Sequence, residues 1–416
     1  MKSFVVLIKF LIYGINFYPE LVGIGKYSGE LAFWLSSKGY EIRVITATKY
    51  FPDWRVKENS YKKEFINNVL IKRCPLWVPM NPSGLKRIMH LFSFSITSFI
   101  PFIKECFSKP NVIFVVAPSI ACAPIALISK LISPKSLLML HIQDFEIDAA
   151  FSLKILKGNQ IKKLLTYLEK IIYQNFDLIS TLNLKMLEKC ISKGVPKDKL
   201  FIFPNWIDTR VALTKKEKLL SNNKIRKDLN IKQDDIILMY SGSMSKKQGL
   251  EELIEVIKNF EEKNNIKWIL SGQGPLKNKL IKKTKNMRNV LVFNLRKASE
   301  IKKWLNIADI HLIPQKSEVK DLVMPSKLLG IMASGKPFIT NADSNSELGE
   351  IANAVGMRTE PNNKESFKEG LLDLISDEVL RKKLGLKGIK FVQKNYEKDY
   401  ILKNFEKKIK SNLKNN

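Results

Sequence analysis

Short apolar runs alternate with helical periodicity along this chain, and that alternation limits the folds open to it more than any other feature. The runs that read as buried strands are Phe4–Tyr13, Ile42–Ala47, Val69–Arg73, Val112–Val116, Leu137–His141, Leu178–Thr181 and Leu200–Phe203. Helical spacing lies between them, for example over Tyr27–Lys38 and Ile161–Asn175. Such alternation predicts a parallel sheet covered by helices on both faces. The pattern starts afresh after the polar, lysine-rich stretch Asp208–Asp235. Strands are then expected at Ile236–Tyr240, Trp268–Ser271, Val290–Phe293, Ile310–Pro314 and Phe338–Thr340. A chain of 416 residues is too long for one compact core. The expected architecture is therefore α/β, with two doubly wound, Rossmann-like parallel-sheet domains facing a cleft. The first covers residues 1–204 and the second 205–385, and a helical tail over 386–416 packs back toward the first. In open sheets of this kind, ligands sit beyond the C-terminal ends of the strands.

Composition narrows the partners. Seventy Lys and Arg against forty Asp and Glu give a formal charge of +30, which suits an anionic membrane face or a phosphorylated substrate. The lysines are spread over nearly every helix, and no basic-aromatic interleaving marks a nucleic-acid reader, so no nucleic-acid partner is expected. Cys74, Cys106, Cys122 and Cys190 form no CxxC pair, and His90, His141 and His311 are scattered. Neither disulfides nor a metal site is expected, and a reducing cytoplasm fits. The apolar start Met1–Tyr13 carries Lys9 and no small-residue cleavage site, so it reads as a first strand rather than a signal peptide. Ile88–Ile103 is interrupted by Ser93, Ser95, Thr97 and Ser98, too polar to span a bilayer. It reads as a core helix, with an interfacial helix flanked by Lys86, Arg87 and Lys104 as the alternative.

Five strand-end segments carry the residues suited to chemistry. Tyr13-Gly-Ile-Asn-Phe-Tyr-Pro-Glu-Leu-Val-Gly-Ile-Gly-Lys-Tyr-Ser-Gly29 follows the first strand and opens a helix at about Lys26. There Gly23 and Gly25 would let the backbone approach an anionic ligand at a helix N-terminus. Leu140-His-Ile-Gln-Asp-Phe-Glu-Ile-Asp148 sets His141 and the carboxylates Asp144, Glu146 and Asp148 after another strand, where they are expected to point into the cleft. His141 could donate to a phosphate or orient a hydroxyl, and Asp144 or Glu146 could accept a proton. Tyr240-Ser-Gly-Ser-Met-Ser-Lys-Lys-Gln-Gly249 offers Gly242, Ser243, Lys246, Lys247 and Gln248 to a diphosphate. Gly272, Gln273 and Gly274 form a tight turn in phase with it. Met324-Pro-Ser-Lys327 precedes an apolar run that stops at Gly335, so Pro325 and Ser326 read as a helix start presenting Ser326 and Lys327 to a phosphate.

Together these segments resemble the retaining family-4 glycosyltransferases of the GT-B fold, over nearly the whole chain. Within that family the Gly-Ile-Gly-Lys-Tyr loop, the words His-Ile-Gln-Asp and Asp-Ala-Ala, and Leu-Val-Met-Pro-Ser-Lys resemble colanic-acid and O-antigen enzymes that transfer fucose or N-acetylfucosamine. The resemblance implies transfer from a GDP- or UDP-linked sugar, as donor substrate rather than cofactor, to a polyprenyl-diphosphate-linked glycan. It implies an enzyme lying on the cytoplasmic face of the plasma membrane. It places the donor on the second half and the acceptor on the first, with no metal. His141 matches the family's sugar-region histidine, and Lys247 with Gln248 falls at its phosphate lysine. Ser243 stands where the family usually has arginine, and Leu322 and Gly330 stand where it usually has glutamates. A nucleotide-sugar 2-epimerase shares this architecture and is the first alternative. A non-catalytic basic binding protein is the remote one.

Overall fold

The computed structural model describes residues 7–20, 23–51, 54–80, 84–117, 122–152, 156, 158–209, 213–245, 248–316 and 327–415. The chain divides into two compact units, Met1–Asn205 with Tyr400–Asn416, and Trp206–Asp399.

The first unit is built on eight strands: β1 (Lys9–Tyr13), β2 (Glu41–Ala47), β3 (Lys62–Ile66), β4 (Val69–Cys74), β5 (Val112–Val116), β6 (Leu137–Ile142), β7 (Leu178–Thr181) and β8 (Leu200–Ile202). Their order is β3-β4-β2-β1-β5-β6-β7-β8, all parallel except β3, which runs antiparallel to β4. The helices are α1 (Gly23–Ser37), α2 (Gly84–Cys106), α3 (Cys122–Ile132), α4 (Glu146–Ser152), α5 (Asn159–Gln174) and α6 (Leu184–Ser192). Every residue of β5 and β6 is buried, as a parallel sheet covered on both faces requires. The edge strand β3, Lys-Lys-Glu-Phe-Ile, was not expected. It is exposed or half-buried throughout, so it carries no apolar run to announce it. The order reverses between β1 and β5, which is where a ligand crevice forms in such sheets.

The second unit holds β9 (Ile236–Ser243), β10 (Ile266–Gln273), β11 (Val290–Phe293), β12 (Ile310–Leu312), β13 (Phe338–Thr340) and β14 (Met357–Arg358), in the order β11-β10-β9-β12-β13-β14, all parallel. Its helices are α7 (Lys215–Asp228), α8 (Leu250–Lys258), α9 (Lys277–Thr284), α10 (Ala298–Asn306), α11 (Lys327–Ser334), α12 (Glu347–Val355), α13 (Lys364–Ser376) and α14 (Glu378–Asn395). Two buried clusters form its core. One holds α8, α9 and α13 residues and the other α10, α11 and α12 residues. The reversal falls between β9 and β12. Residues 386–395 stay in this unit as the end of α14, because Val392 is buried in the second cluster and α14 packs on α11.

The last helix, α15 (Lys398–Asn415), completes the first unit. Phe405 stacks on Phe203 at 4.4 Å between ring centroids and lies edge-on to Phe114 at 5.6 Å. The Tyr40 hydroxyl donates to Glu406 Oε1 at 2.5 Å. Phe405→Ala should cost about 3–5 kcal/mol, the usual loss for a buried phenylalanine. The check is the urea midpoint of the first unit's unfolding. Among the described residues no helix is long and apolar enough to cross a membrane.

Candidate functional site

In the second unit, the ends of β9 and β10 lock together beside the reversal point. The register pairs Gly242 with Gly272 and Ser243 with Gln273. The Met244 N–H donates to the Gln273 carbonyl at 2.7 Å, and the Leu276 N–H donates to the Met244 carbonyl at 3.0 Å. This closeness is why both ends need glycine. A Cβ on Gly272 would lie 2.0 Å from the Gly242 carbonyl oxygen, and one on Gly274 would lie 2.5 Å from that of Met244. Gly242 and Gly274 also have φ of 151° and 148°, values that side chains other than glycine's rarely adopt.

Lys327, the first residue of α11, lies against this corner. Its Nζ is 4.0 Å from the centre of the Tyr240 ring and donates to Gln248 Oε1 at 3.5 Å. A Cβ on Gly242 would come within 3.3 Å of its Cδ. The Tyr240 hydroxyl fixes the loop by donating to the Ser243 carbonyl at 2.5 Å, with Gln248 Oε1 at 3.3 Å. Burial of the ammonium lowers the Lys327 pKa from 10.5 to about 7, since a low-dielectric site disfavours the charged form. A cation held at a glycine-lined strand end, beside a helix N-terminus, is an arrangement that favours a phosphate. The structure thus brings Gly242, Ser243, Gln248, Gly272, Gln273, Gly274 and Lys327 to one strand-end corner. Lys247, Met324, Pro325 and Ser326 lie outside the described residues. Gly330, one turn into α11, leaves room for Leu305, whose Cδ1 would lie 3.3 Å from a Cβ there.

Three residues of this edge were not anticipated from the sequence. Tyr240 supplies the face under Lys327. Asn294 accepts from Gln273 Nε2 at 3.2 Å and takes Ser271 Oγ on its carbonyl at 3.0 Å. Arg296 stacks over Trp304 at 3.9 Å. Their only sequence signal was position, Tyr240 in the strand that leads to the glycine loop and Asn294 and Arg296 just past β11.

In the first unit, His141 is the penultimate residue of β6 and is almost fully buried. Its Nδ1 is 2.8 Å from Ser180 Oγ. Its ring lies nearly parallel to Phe114 at 5.7 Å, and Phe203 packs on it at 5.2 Å. Burial lowers its pKa to about 3, against a partly opposing hydrogen bond to Ser180. His141 is therefore neutral, suited to hydrogen bonding rather than to carrying charge. Its ring resonances should show no titration between about pH 5 and pH 8, followed by NMR.

Asp144 sits half-buried between β6 and α4. Asp148, expected to point at a ligand, does not. Burial pushes its carboxyl up, but Lys193 at 2.9 Å and Lys189 at 3.1 Å outweigh that and hold it below the usual range. Lys193 also pairs with the buried Glu169, so this cluster ties α4 to α5 and α6.

The glycine-rich loop corrects a second expectation. Helix α1 opens at Gly23, three residues before Lys26. The space left by Gly25 is taken by Glu20, whose Oε2 would lie 2.5 Å from a Cβ there, and by the Phe17 carbonyl. Gly25 therefore serves internal packing. Gly23 has φ of 61° and nothing within 4 Å of a Cβ, so it keeps an open backbone. Glu20 went unnoticed in the sequence. Burial pushes its carboxyl up to about 7 against hydrogen bonds from Asn16, at 2.9 Å, and from the Phe51 backbone.

Comparison with known proteins agrees with this arrangement. Residues 221–391 match the family described as Glycosyl transferases group 1. Over 410 residues the chain is 35% identical to WcaI of Escherichia coli (strain K12), named as a colanic acid biosynthesis glycosyl transferase, covering 95% of this chain and 98% of that protein. Among solved structures, a sucrose-phosphate synthase from Thermosynechococcus elongatus superposes with a TM-score of 0.75 at 14% identity, covering 98% of this chain and all of that one. HepE of Anabaena, in complex with UDP and glucose, superposes with a TM-score of 0.70 at 12% identity, covering 97% and 100%. Two doubly wound sheets, glycine-locked strand ends and 35% identity to WcaI over nearly its full length lead to one assignment: the chain belongs to the group 1 glycosyltransferases, family-4 enzymes of the GT-B fold.

Proposed function

We propose that this glycosyltransferase moves a sugar of the fucose or N-acetylfucosamine type, with retention of configuration, from a GDP- or UDP-linked donor to a polyprenyl-diphosphate-linked glycan. The product would be a surface polysaccharide of the capsule, O-antigen or colanic-acid kind. The reaction would take place on the cytoplasmic face of the plasma membrane. The observation that carries this reading is the Lys327 ammonium held over Tyr240 beside Gly242. Support comes from the name of WcaI and from the UDP and glucose found with HepE.

In this reading the leaving diphosphate rests on the β9–β10 loops and on Lys327. Charge grows on its oxygens as the glycosidic bond breaks, and a pre-positioned cation in a water-poor corner stabilises that charge without reorganising. With Ser243 in place of the usual arginine, Lys327 carries more of this load. His141 and Asp144 serve the sugar and the acceptor hydroxyl, His141 as a neutral hydrogen-bonding ring.

A thermal-shift screen of GDP- and UDP-sugars tests the reading. A true donor at about a hundred times its Kd stabilises by about 2.7 kcal/mol. Incubation with that donor alone should then give only slow hydrolysis. Conversion to an isomeric nucleotide sugar would make the chain a 2-epimerase instead, and no stabilisation by any donor would overturn the reading.

A further inference from the structure

Helix α2 is apolar on both sides. Its inner side buries Phe94, Phe102 and Cys106 in the core of the first unit. Its outer side carries Leu85, Met89, Phe92, Ile96, Phe99 and Ile100, each between 39% and 73% exposed. Their spacing of three and four places them along one stripe of the helix. Tyr61 joins the stripe, its hydroxyl donating to the Thr97 carbonyl at 2.9 Å, and Met80, just before the helix, is 94% exposed. Contiguous exposed apolar side chains of this kind, rimmed by polar residues, mark interaction surfaces.

The exposed charges of α2 and its two ends have one sign, and beside Tyr61 the exposed Glu58 is paired with Lys62 at 3.5 Å. Lys86 and Arg87 are exposed at the start of α2, and Lys104 and Lys109 at its end. The one acid of α2, Glu105, turns inward and is paired with Arg43 at 2.9 Å and with Lys72. The outer face therefore offers large apolar side chains between basic ends and no carboxylate. At 23 residues the helix is about 35 Å long, and its polar inner positions fit a helix lying in an interface plane rather than crossing it. A second copy of the chain would bring like charges together. An anionic bilayer supplies the opposite charge and an apolar layer at the depth of the stripe.

We propose that the outer face of α2 is the surface by which the first unit seats on an anionic lipid bilayer. This rests on the reading that the acceptor is lipid-linked, since such a seat would hold the acceptor-binding unit at the surface from which its substrate projects.

Co-sedimentation of the full chain with vesicles tests it. The wild-type protein should bind vesicles of phosphatidylcholine with phosphatidylglycerol at least tenfold better than phosphatidylcholine alone. The double variant Ile96→Glu, Ile100→Glu should lose at least tenfold of that binding. Both positions are exposed, so its melting temperature and its slow hydrolysis of free donor should match the wild type. Lys86→Glu with Arg87→Glu should remove the preference for phosphatidylglycerol. Wild-type protein that ignores both vesicles overturns the proposal. So does a wild-type dimer in solution that the glutamate pair converts to a monomer, which would make the stripe a contact between copies. Vesicle binding that the glutamate pair abolishes upholds the surface even if no donor is hydrolysed, in which case the transfer reading alone fails.

Discussion

Lys327→Ala should lower sugar transfer by about 10²–10³-fold, the usual effect of deleting one pre-positioned donor from a site of developing charge. The residue also predicts a pH signature. Its folded pKa of about 7 lies below its ordinary 10.5. Between those values the unfolded chain binds more protons than the folded one, so this residue's share of stability rises with pH across that window. Donor binding has the opposite dependence. The diphosphate needs the ammonium, so affinity falls as pH rises above about 7, approaching tenfold per unit. At about pH 8, binding should take up about one proton, read by calorimetry in buffers of different ionisation enthalpy. His141 contributes nothing in this range, because its pKa has dropped to about 3. The uptake should vanish in Lys327→Gln. Persistence there would move the phosphate cation elsewhere, with Lys246 and Lys247 the next to test.

Gly272→Ala should be among the most damaging small changes in the second unit. Its methyl would lie 2.0 Å from the Gly242 carbonyl and 3.0 Å from Met244 Cγ. Neither strand end can yield alone, since β9 and β10 are paired over their whole length. A loss of about 3 kcal/mol or more is expected, at or beyond the upper end for overpacking, together with loss of donor stabilisation in the thermal-shift assay. Gly23→Ala is the control. Open space surrounds that position, so only its left-handed backbone is strained, costing about 1 kcal/mol. A Gly272→Ala protein that melts like the wild type would refute the locked-loop account.

Much of the fold was legible because buried parallel strands need continuous apolar runs, and the interior strands have them. The edges escaped. β3 is charged and mostly exposed, and β14 is two residues long. The strand-end corner was legible for a related reason. Glycines packed this densely after a strand have few other uses: Gly272 and Gly274 proved to be points of close backbone approach, and Gly242 holds a φ of 151° against the Lys327 side chain. Long-range pairing was not legible. Asp148 read as a residue pointing into the cleft, but it pairs with lysines from positions 189 and 193. Gly25 looked like a ligand contact, yet it makes room for Glu20. The depressed pKa of Lys327 depends on burial beside Tyr240, 87 positions earlier in the numbering, which no local pattern reveals. The interfacial alternative for Ile88–Ile103 could not be weighed until the inner and outer sides of α2 were told apart.

The return of α15 has a consequence for synthesis. Domains usually fold as units, N-terminal first, as the chain emerges. Here the aromatic slot between Phe114 and Phe203 is filled by Phe405, which leaves the ribosome after all of Trp206–Asp399. The second unit, continuous in sequence, can complete its core while the first still waits for its last wedge. During translation the later-made half is thus the first that can finish.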